Sequence, residues 1–187
     1  MNLSDYQPPY LNSGEGGIGM GVTHKLTNSR FLVGATVPVV QDTGQTIGSR
    51  KSLIAAFEYG EPADQSVTLI GGLTKDKDSL LGSTGTNAFS LSGSSSNTNF
   101  IALKAQKQMN DNTSLTGIAT LANTNMTNPS NSLVDSASNV KSSSMALIAN
   151  VRALAGDEYL SLFISQPSRT NSGSMAIRMA SLADSQR

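Results

Sequence analysis

Apolar side chains recur at every second position through most of the chain, which is the period of a β-strand. We count about eight to nine such segments, several of which have the nine to eleven residues that cross a bilayer at a tilt. The pattern predicts an all-β fold of antiparallel, up-and-down strands. The alternating positions are Phe31, Val33, Ala35, Val37 and Val39; Leu53, Ala55, Phe57 and Tyr59; Val67, Leu69, Gly71 and Leu73; Ile101, Leu103 and Ala105; Leu115, Gly117, Ala119 and Leu121; Met145, Leu147, Ala149 and Val151; Leu160, Leu162 and Ile164; and Met175, Ile177 and Met179.

The connections between these segments alternate in length. Short turns are predicted at 25–29, 61–66, 110–113 and 156–158, and long polar loops at 41–50, 75–97, 123–140 and 166–172. Short turns on one side and long loops on the other are typical of outer-membrane β-barrels. Because every backbone amide must be paired in lipid, such a sheet has to close on itself or on further strands. The pattern therefore predicts a transmembrane β-barrel, present here as an incomplete segment.

Composition limits the function classes. The formal net charge is zero and 14% of the residues are charged, so no electrostatic footprint for nucleic acid is present. The absence of cysteine excludes disulfides and thiolate metal sites. Aromatic residues make up only 5%, without tryptophan, and many alternating positions hold alanine or glycine. These two features favour the alternative, a soluble or surface-exposed β-sandwich used for interaction or structure.

The 187 residues suit one domain, 1–187, in which segment 1–29 is a poorly defined lead-in. No run approaches the ~18 apolar residues of a membrane-spanning helix. The first residues also lack the basic and apolar regions of a signal peptide. Since an outer-membrane protein must be exported, we expect the chain to be a piece of a longer polypeptide.

Candidate chemistry is sparse. Ser174 follows Gly173 as a nucleophile would, but the one histidine, His24, lies in no context that predicts a triad. The glycines at 14–19 match the GxGxxG fingerprint, which requires a following helix, whereas alternating strand sequence follows here. We therefore expect no catalytic, cofactor or metal site.

The order and spacing of several short motifs resemble the C-terminal translocator barrel of subtilisin-like autotransporters. The motifs are Leu80-Leu-Gly-Ser83, Gly85-Thr-Asn-Ala-Phe89, Thr98-Asn-Phe100, Leu115-Thr-Gly117, Ser143-Ser-Met-Ala146, Gly156-Asp157 and Ser165-Gln-Pro-Ser-Arg-Thr-Asn-Ser-Gly173. The residues that carry the resemblance are Leu80, Leu81, Gly82, Gly85, Phe89, Phe100, Gly117, Gln166, Pro167, Arg169 and Gly173.

The resemblance implies a barrel of about twelve strands in the outer membrane of a Gram-negative bacterium. Such a barrel assists secretion of a covalently linked N-terminal passenger, a subtilisin-like protease that this chain lacks. Its partners would be outer-membrane lipid and the barrel-assembly machinery, which reads a C-terminal aromatic residue. This chain ends Ala183-Asp-Ser-Gln-Arg187, without that aromatic, and it also lacks the passenger, so we expect truncation at both ends.

Three basic residues occupy the face opposite the apolar positions. They are Lys104, Arg152 and Arg178, which alternate with apolar neighbours. In a barrel this face lines the interior. We therefore predict that the three side chains face the lumen, where a passing polypeptide would meet their charge.

Overall fold

The computed structural model describes residues 17–38, 50–61, 64–78, 80, 89–128, 132–152 and 159–178. These residues form eight β-strands and no α-helix. In the described part of the chain, no helix has the length and apolar character needed to span a membrane. The strands are β1 (Gly17–Lys25), β2 (Ser29–Pro38), β3 (Arg50–Glu61), β4 (Gln65–Lys77), β5 (Ser95–Asn110), β6 (Thr113–Thr127), β7 (Val134–Arg152) and β8 (Tyr159–Ile177).

All eight strands belong to one sheet, in which their spatial order is their order in the chain. Every neighbouring pair is antiparallel. The predicted all-β, up-and-down fold is thus confirmed, as is the predicted number of strands. Among the described residues no ladder joins β1 to β8. β1 lies within the segment 1–29 that the sequence left poorly defined.

The connections fall at two ends of the sheet. Residues 26–28 and 111–112 make short turns at one end, which we call the turn end and where β3 also connects to β4. At the other, the loop end, segments 39–49 and 78–94 join β2 to β3 and β4 to β5. The third loop-end connection is only 128–133, shorter than the predicted 123–140, because β6 continues to Thr127 and β7 already begins at Val134.

The prediction of a loop at 166–172 followed by a new strand was wrong. β8 runs without a break through 19 residues, from Tyr159 to Ile177. Pro167 is accommodated because β8 is an edge strand, and because a register shift opposite Ser143 and Met145 leaves Pro167 outside the ladder. Polar composition indicated a loop here, although backbone pairing with β7 continues.

In the central strands β3 to β6 the two faces of the sheet differ sharply in exposure, whereas β1 and β8 at its edges are largely exposed on both faces. Along β3, residues from Lys51 to Tyr59 alternate between exposed and buried, and β4 has the same alternation. Because no second layer covers either face among the described residues, this asymmetry requires the sheet to curl. One face becomes concave and covers itself, while the other faces outward.

The centre of the concave face holds a hydrophobic cluster contributed by five neighbouring strands. Its members are Leu32, Ile54, Ala56, Ile70, Phe100, Ala102 and Ala122. Phe100 lies directly opposite Gly72 in the β4–β5 ladder, and its ring occupies the space that a side chain at Gly72 would need. This close approach of the ring explains why position 72 holds a glycine.

Leu80 and residues 90–94, which belong to the connection between β4 and β5, lie at the loop end of the concave face. Leu91 is buried there in a second cluster with Met126, Val134, Ala137 and Val140. The Asp78 amide donates to the Ser94 carbonyl at 3.0 Å, and Asn128 Nδ2 donates to the Ser90 carbonyl at 3.1 Å. The concave face is therefore filled by side chains at this level.

Candidate functional site

The outward face carries a continuous band of apolar side chains, which we call the apolar belt. Leu69 and Leu103, at its centre, are 49% and 50% exposed. From β3 to β8 the belt consists of Leu53, Ala55, Phe57, Tyr59, Val67, Leu69, Gly71, Leu73, Ile101, Leu103, Ala105, Leu115, Gly117, Ala119, Leu121, Met145, Leu147, Ala149, Val151, Leu160, Leu162 and Ile164. Phe31, Val33, Ala35 and Val37 continue it on β2.

Polar side chains bound the belt at both ends. On β3 the next outward residues are Lys51 and Glu61, and on β4 they are Gln65 and Lys75. Nine residues separate Lys51 from Glu61, and nine separate Gln65 from Lys75. That number matches the nine to eleven residues of a tilted strand that crosses a hydrocarbon layer.

The belt residues nearest the loop end do not all lie opposite one another in the strand ladders. On β3 and β4 the edge is level, at the cross-strand pair Leu53 and Leu73. Leu73 then pairs with Asn99, so the belt on β5 begins two residues further on, at Ile101. Ile101 pairs with Leu121, the edge residue of β6.

The same displacement occurs twice more. Leu121 pairs with Ser143, so the edge on β7 is Met145; Met145 pairs with Gln166, so the edge on β8 is Ile164. From β3 to β8, across five pairs of neighbouring strands, the edge thus moves six residues in total, and each displacement is toward the turn end. At about 3.3 Å per residue and about 4.8 Å between strands, a level belt requires strands tilted by about 40°. Barrel strands tilt by about 35–45°.

The concave face is rich in buried hydroxyl groups. The register places Ser52, Thr74, Thr98 and Thr124 side by side on four strands. The hydroxyl oxygens of Thr98 and Thr124 lie 2.8 Å apart, and those of Ser52 and Thr74 lie 3.5 Å apart. These hydrogen bonds satisfy polar groups that burial removes from water. They make the interior of the curled sheet compatible with polar side chains.

A second polar row on the concave face contains an ion pair. Arg30 Nη2 lies 2.7 Å from Glu58 Oε2, and the Glu58 side chain is 6% exposed against 26% for Arg30. Glu58 Oε2 lacks a partner with hydrogen-bond geometry, so the attraction is ionic. In the ladder, Glu58 pairs with Thr68, and Thr68 pairs with Lys104.

We expect Arg30→Met to lower the free energy of unfolding by about 2–3 kcal/mol, because it leaves the Glu58 carboxylate buried without its cation. Arg30 is partly exposed, which keeps the loss below that of a fully buried pair. Urea unfolding in detergent micelles measures it. The double variant Arg30→Met/Glu58→Leu should be more stable than the single variant. If it is not, the ion pair does not account for the loss.

The structure separates the three basic residues that we predicted to face the lumen. Lys104 is half-buried on the concave face, in the row of Glu58. Arg152 ends β7 at the turn end and is exposed. Arg178 follows β8 at the loop end and forms an ion pair with Asp135. Their shared role in the lumen stays a prediction.

The residues that carry the family resemblance are distributed over both faces. Leu80 packs against the second cluster, and Phe89 is exposed. Phe100 lies in the concave cluster, while Gly117 belongs to the outward belt. Leu81, Gly82 and Gly85 lie outside the described residues.

The remaining motif residues lie on β8. Gln166, Pro167 and Arg169 surround the register shift against β7. Gly173 lies against β7, where an added Cβ would be 2.9 Å from the Cα of Val140. These residues fix how the edge strand follows β7, and the described residues do not gather them into a pocket with the other motif positions.

The structure does not bring Ser174 and His24 together. Ser174 lies on β8 and its hydroxyl is 2.8 Å from that of Ser138, whereas His24 lies on β1 at the opposite edge of the sheet. In the described part of the chain no three His, Cys, Asp or Glu residues are grouped as a metal site would require. The glycine fingerprint is described only from Gly17 onwards, where it forms β1.

Sequence reasoning missed the pairing of Lys51 with Lys75, which lie directly opposite each other above the belt. Each stands two positions from a belt leucine, so the alternation already placed both outward, but their proximity depends on register.

We found no match to this chain among models of protein families, curated proteins or solved structures.

Proposed function

We propose that the chain forms part of the wall of an outer-membrane β-barrel, with the apolar belt in the hydrocarbon of the bilayer. The observation that carries this proposal is the inverted distribution of side chains. Among the described residues, 27 large hydrophobic side chains are exposed. The buried residues, by contrast, comprise 15 polar or charged residues and 12 apolar residues. A water-soluble fold buries its apolar side chains instead.

The shape of the belt supports the same proposal. It is continuous over neighbouring strands, polar side chains bound it, and it is level only for strands tilted by about 40°. A soluble protein rarely exposes an apolar patch larger than a few hundred Å² unless the patch is an interaction site. Lipid provides a partner for the whole belt without a specific protein surface.

Within this proposal, the role of the barrel is to assist secretion of an N-terminal passenger of the subtilisin type. The support for this role is the resemblance of the motifs from Leu80 to Gly173. Among the described residues the outer edges of β1 and β8 pair with no further strand, which fits a barrel that needs more strands, since unpaired amides are costly in lipid. In the proposed role the wall surrounds the path of the passenger and performs no chemistry.

The β-sandwich alternative requires a second sheet to cover the apolar face. All eight described strands belong to one sheet, and its apolar face is the exposed one. This arrangement favours the membrane proposal over the sandwich.

The proposal is tested by adding the full chain, diluted from urea, to phospholipid vesicles. We expect it to enter the membrane as β-structure, to stay with the vesicles in alkaline carbonate, and to leave only with detergent. A chain that folds in buffer and is washed from vesicles by carbonate would contradict the proposal. Surface display of a reporter fused before Met1, behind a signal peptide in a Gram-negative host, then tests the secretion role separately.

A further inference from the structure

A groove crosses the loop-end edge of the apolar belt on β2 to β5. Its volume is about 470 Å³, and it is lined mainly by outward residues of four strands, with Thr36, Ser52 and Thr74 of the opposite face between them. Leu53 and Leu73 form its floor on the belt side, and Lys51 and Lys75 lie beyond them on the polar side. The groove therefore spans the boundary between the apolar belt and the polar rim above it.

The two lysines of this groove face each other directly across the β3–β4 ladder. Side chains in that position have Cβ atoms about 4.5–5.5 Å apart, and like charges there destabilise a sheet. Both side chains are exposed, and among the described residues no carboxylate forms an ion pair with either one. At the edge of a low-dielectric layer the repulsion is stronger than in water. An anion held between the ammonium groups would remove it.

Neutral hydrogen-bond donors complete the polar side of the groove. Asn97 pairs with Lys75 and Asn99 pairs with Leu73, so both amides line the groove on its β5 side. Two ammonium groups with amide donors suit the several acceptor oxygens of a phosphate group. The leucine floor below them suits an acyl chain. Phosphate above and hydrocarbon below is the arrangement of a membrane lipid at its headgroup level.

We propose that this groove binds one anionic lipid, with its phosphate between Lys51 and Lys75 and an acyl chain on Leu53 and Leu73. The inference deepens the proposed function and rests on it, because it requires the belt to lie in a bilayer. The site then fixes the height of the loop end at the headgroups. A lysine near an anionic membrane surface strengthens binding about fivefold, so the pair should account for about 25-fold.

The test compares the full chain with the variant Lys51→Gln/Lys75→Gln in vesicles of phosphatidylcholine containing some phosphatidylglycerol. Protein is released in mild detergent, and native mass spectrometry measures how many lipids of each kind stay bound. Lys107→Gln is the matched control. Lys107 is an outward lysine at the turn-end edge, opposite Gln65 and Leu115 rather than another cation.

We expect the double variant to retain phosphatidylglycerol about 25-fold less than the unaltered chain, whereas Lys107→Gln, which removes one lysine without a facing cation, should lower retention by at most about fivefold. Equal retention by all three, or an equal loss in Lys107→Gln, would overturn the lipid site while leaving the membrane proposal intact. If inorganic phosphate at equal concentration displaced the lipid, the groove would bind phosphate in general rather than a lipid. That result would also overturn the proposed lipid site. A chain that enters no vesicle would overturn both proposals.

Discussion

Replacing Leu103 by arginine is expected to lower the free energy of unfolding in a bilayer by about 2–4 kcal/mol. Leu103 lies at the centre of the apolar belt and is half exposed, so in lipid the guanidinium would enter the hydrocarbon. In water the same substitution would place a charge on an exposed position, where it costs little. The two environments thus give different expected losses of stability for the same variant, a large one in lipid and a small one in water.

Asn99→Arg is the matched control, since Asn99 faces outward on the same strand but lies beyond the edge of the belt. We expect a loss of about 0–1 kcal/mol there, as for a charge near the interface. Urea titration of both variants in phosphatidylcholine vesicles, followed by circular dichroism, measures the difference. Equal stabilities for the two variants would contradict a hydrocarbon environment at Leu103.

Replacing Gly72 by valine is expected to cost about 1–3 kcal/mol through overpacking of the concave face. An added Cβ would lie 2.6 Å from Phe100 Cε1 and 2.9 Å from the carbonyl oxygen of Leu53. Gly71→Val is the control, because a Cβ at that outward neighbour meets nothing closer than the Phe100 carbonyl oxygen at 4.0 Å. Gly71→Val should therefore leave the stability nearly unchanged.

A double-mutant cycle tests whether the Phe100 ring causes the loss at Gly72. Phe100→Ala alone should cost about 3 kcal/mol, since it empties the centre of the concave cluster. In Gly72→Val/Phe100→Ala the valine occupies part of that space, so the loss should be smaller than the sum of the single losses. Strict additivity would show that the ring and the glycine are not coupled.

The sequence alone predicted the strands and their outward residues wherever apolar and polar positions alternate strictly. Leu53 to Tyr59 and Val67 to Leu73 are examples, because a period of two depends only on local geometry. The turn at 111–112 was also predictable from the polar residues between two strands. Whether a segment forms a strand, and which of its side chains face outward, can therefore be predicted from the residues of that segment alone.

Features that depend on register were not predictable. The pairing of Lys51 with Lys75, the contact of Phe100 with Gly72 and the displacement of the belt edge all follow from which residues lie opposite each other. The strand through Gln166 to Ser172 was missed for a different reason. Beyond the belt its side chains are polar on both faces, so the alternation that marks a strand disappears.

The most direct test of the central claim is the depth of single tryptophans in a bilayer. The chain has no tryptophan, so each introduced indole reports alone. In vesicles with brominated lipids we expect strong quenching for Leu103→Trp and weak quenching for Lys104→Trp, its neighbour on the concave face. Leu53→Trp and Ile164→Trp should report equal, shallower depths, since both mark the edge of a level belt. Equal quenching at Leu103 and Lys104 would contradict a lipid-facing belt.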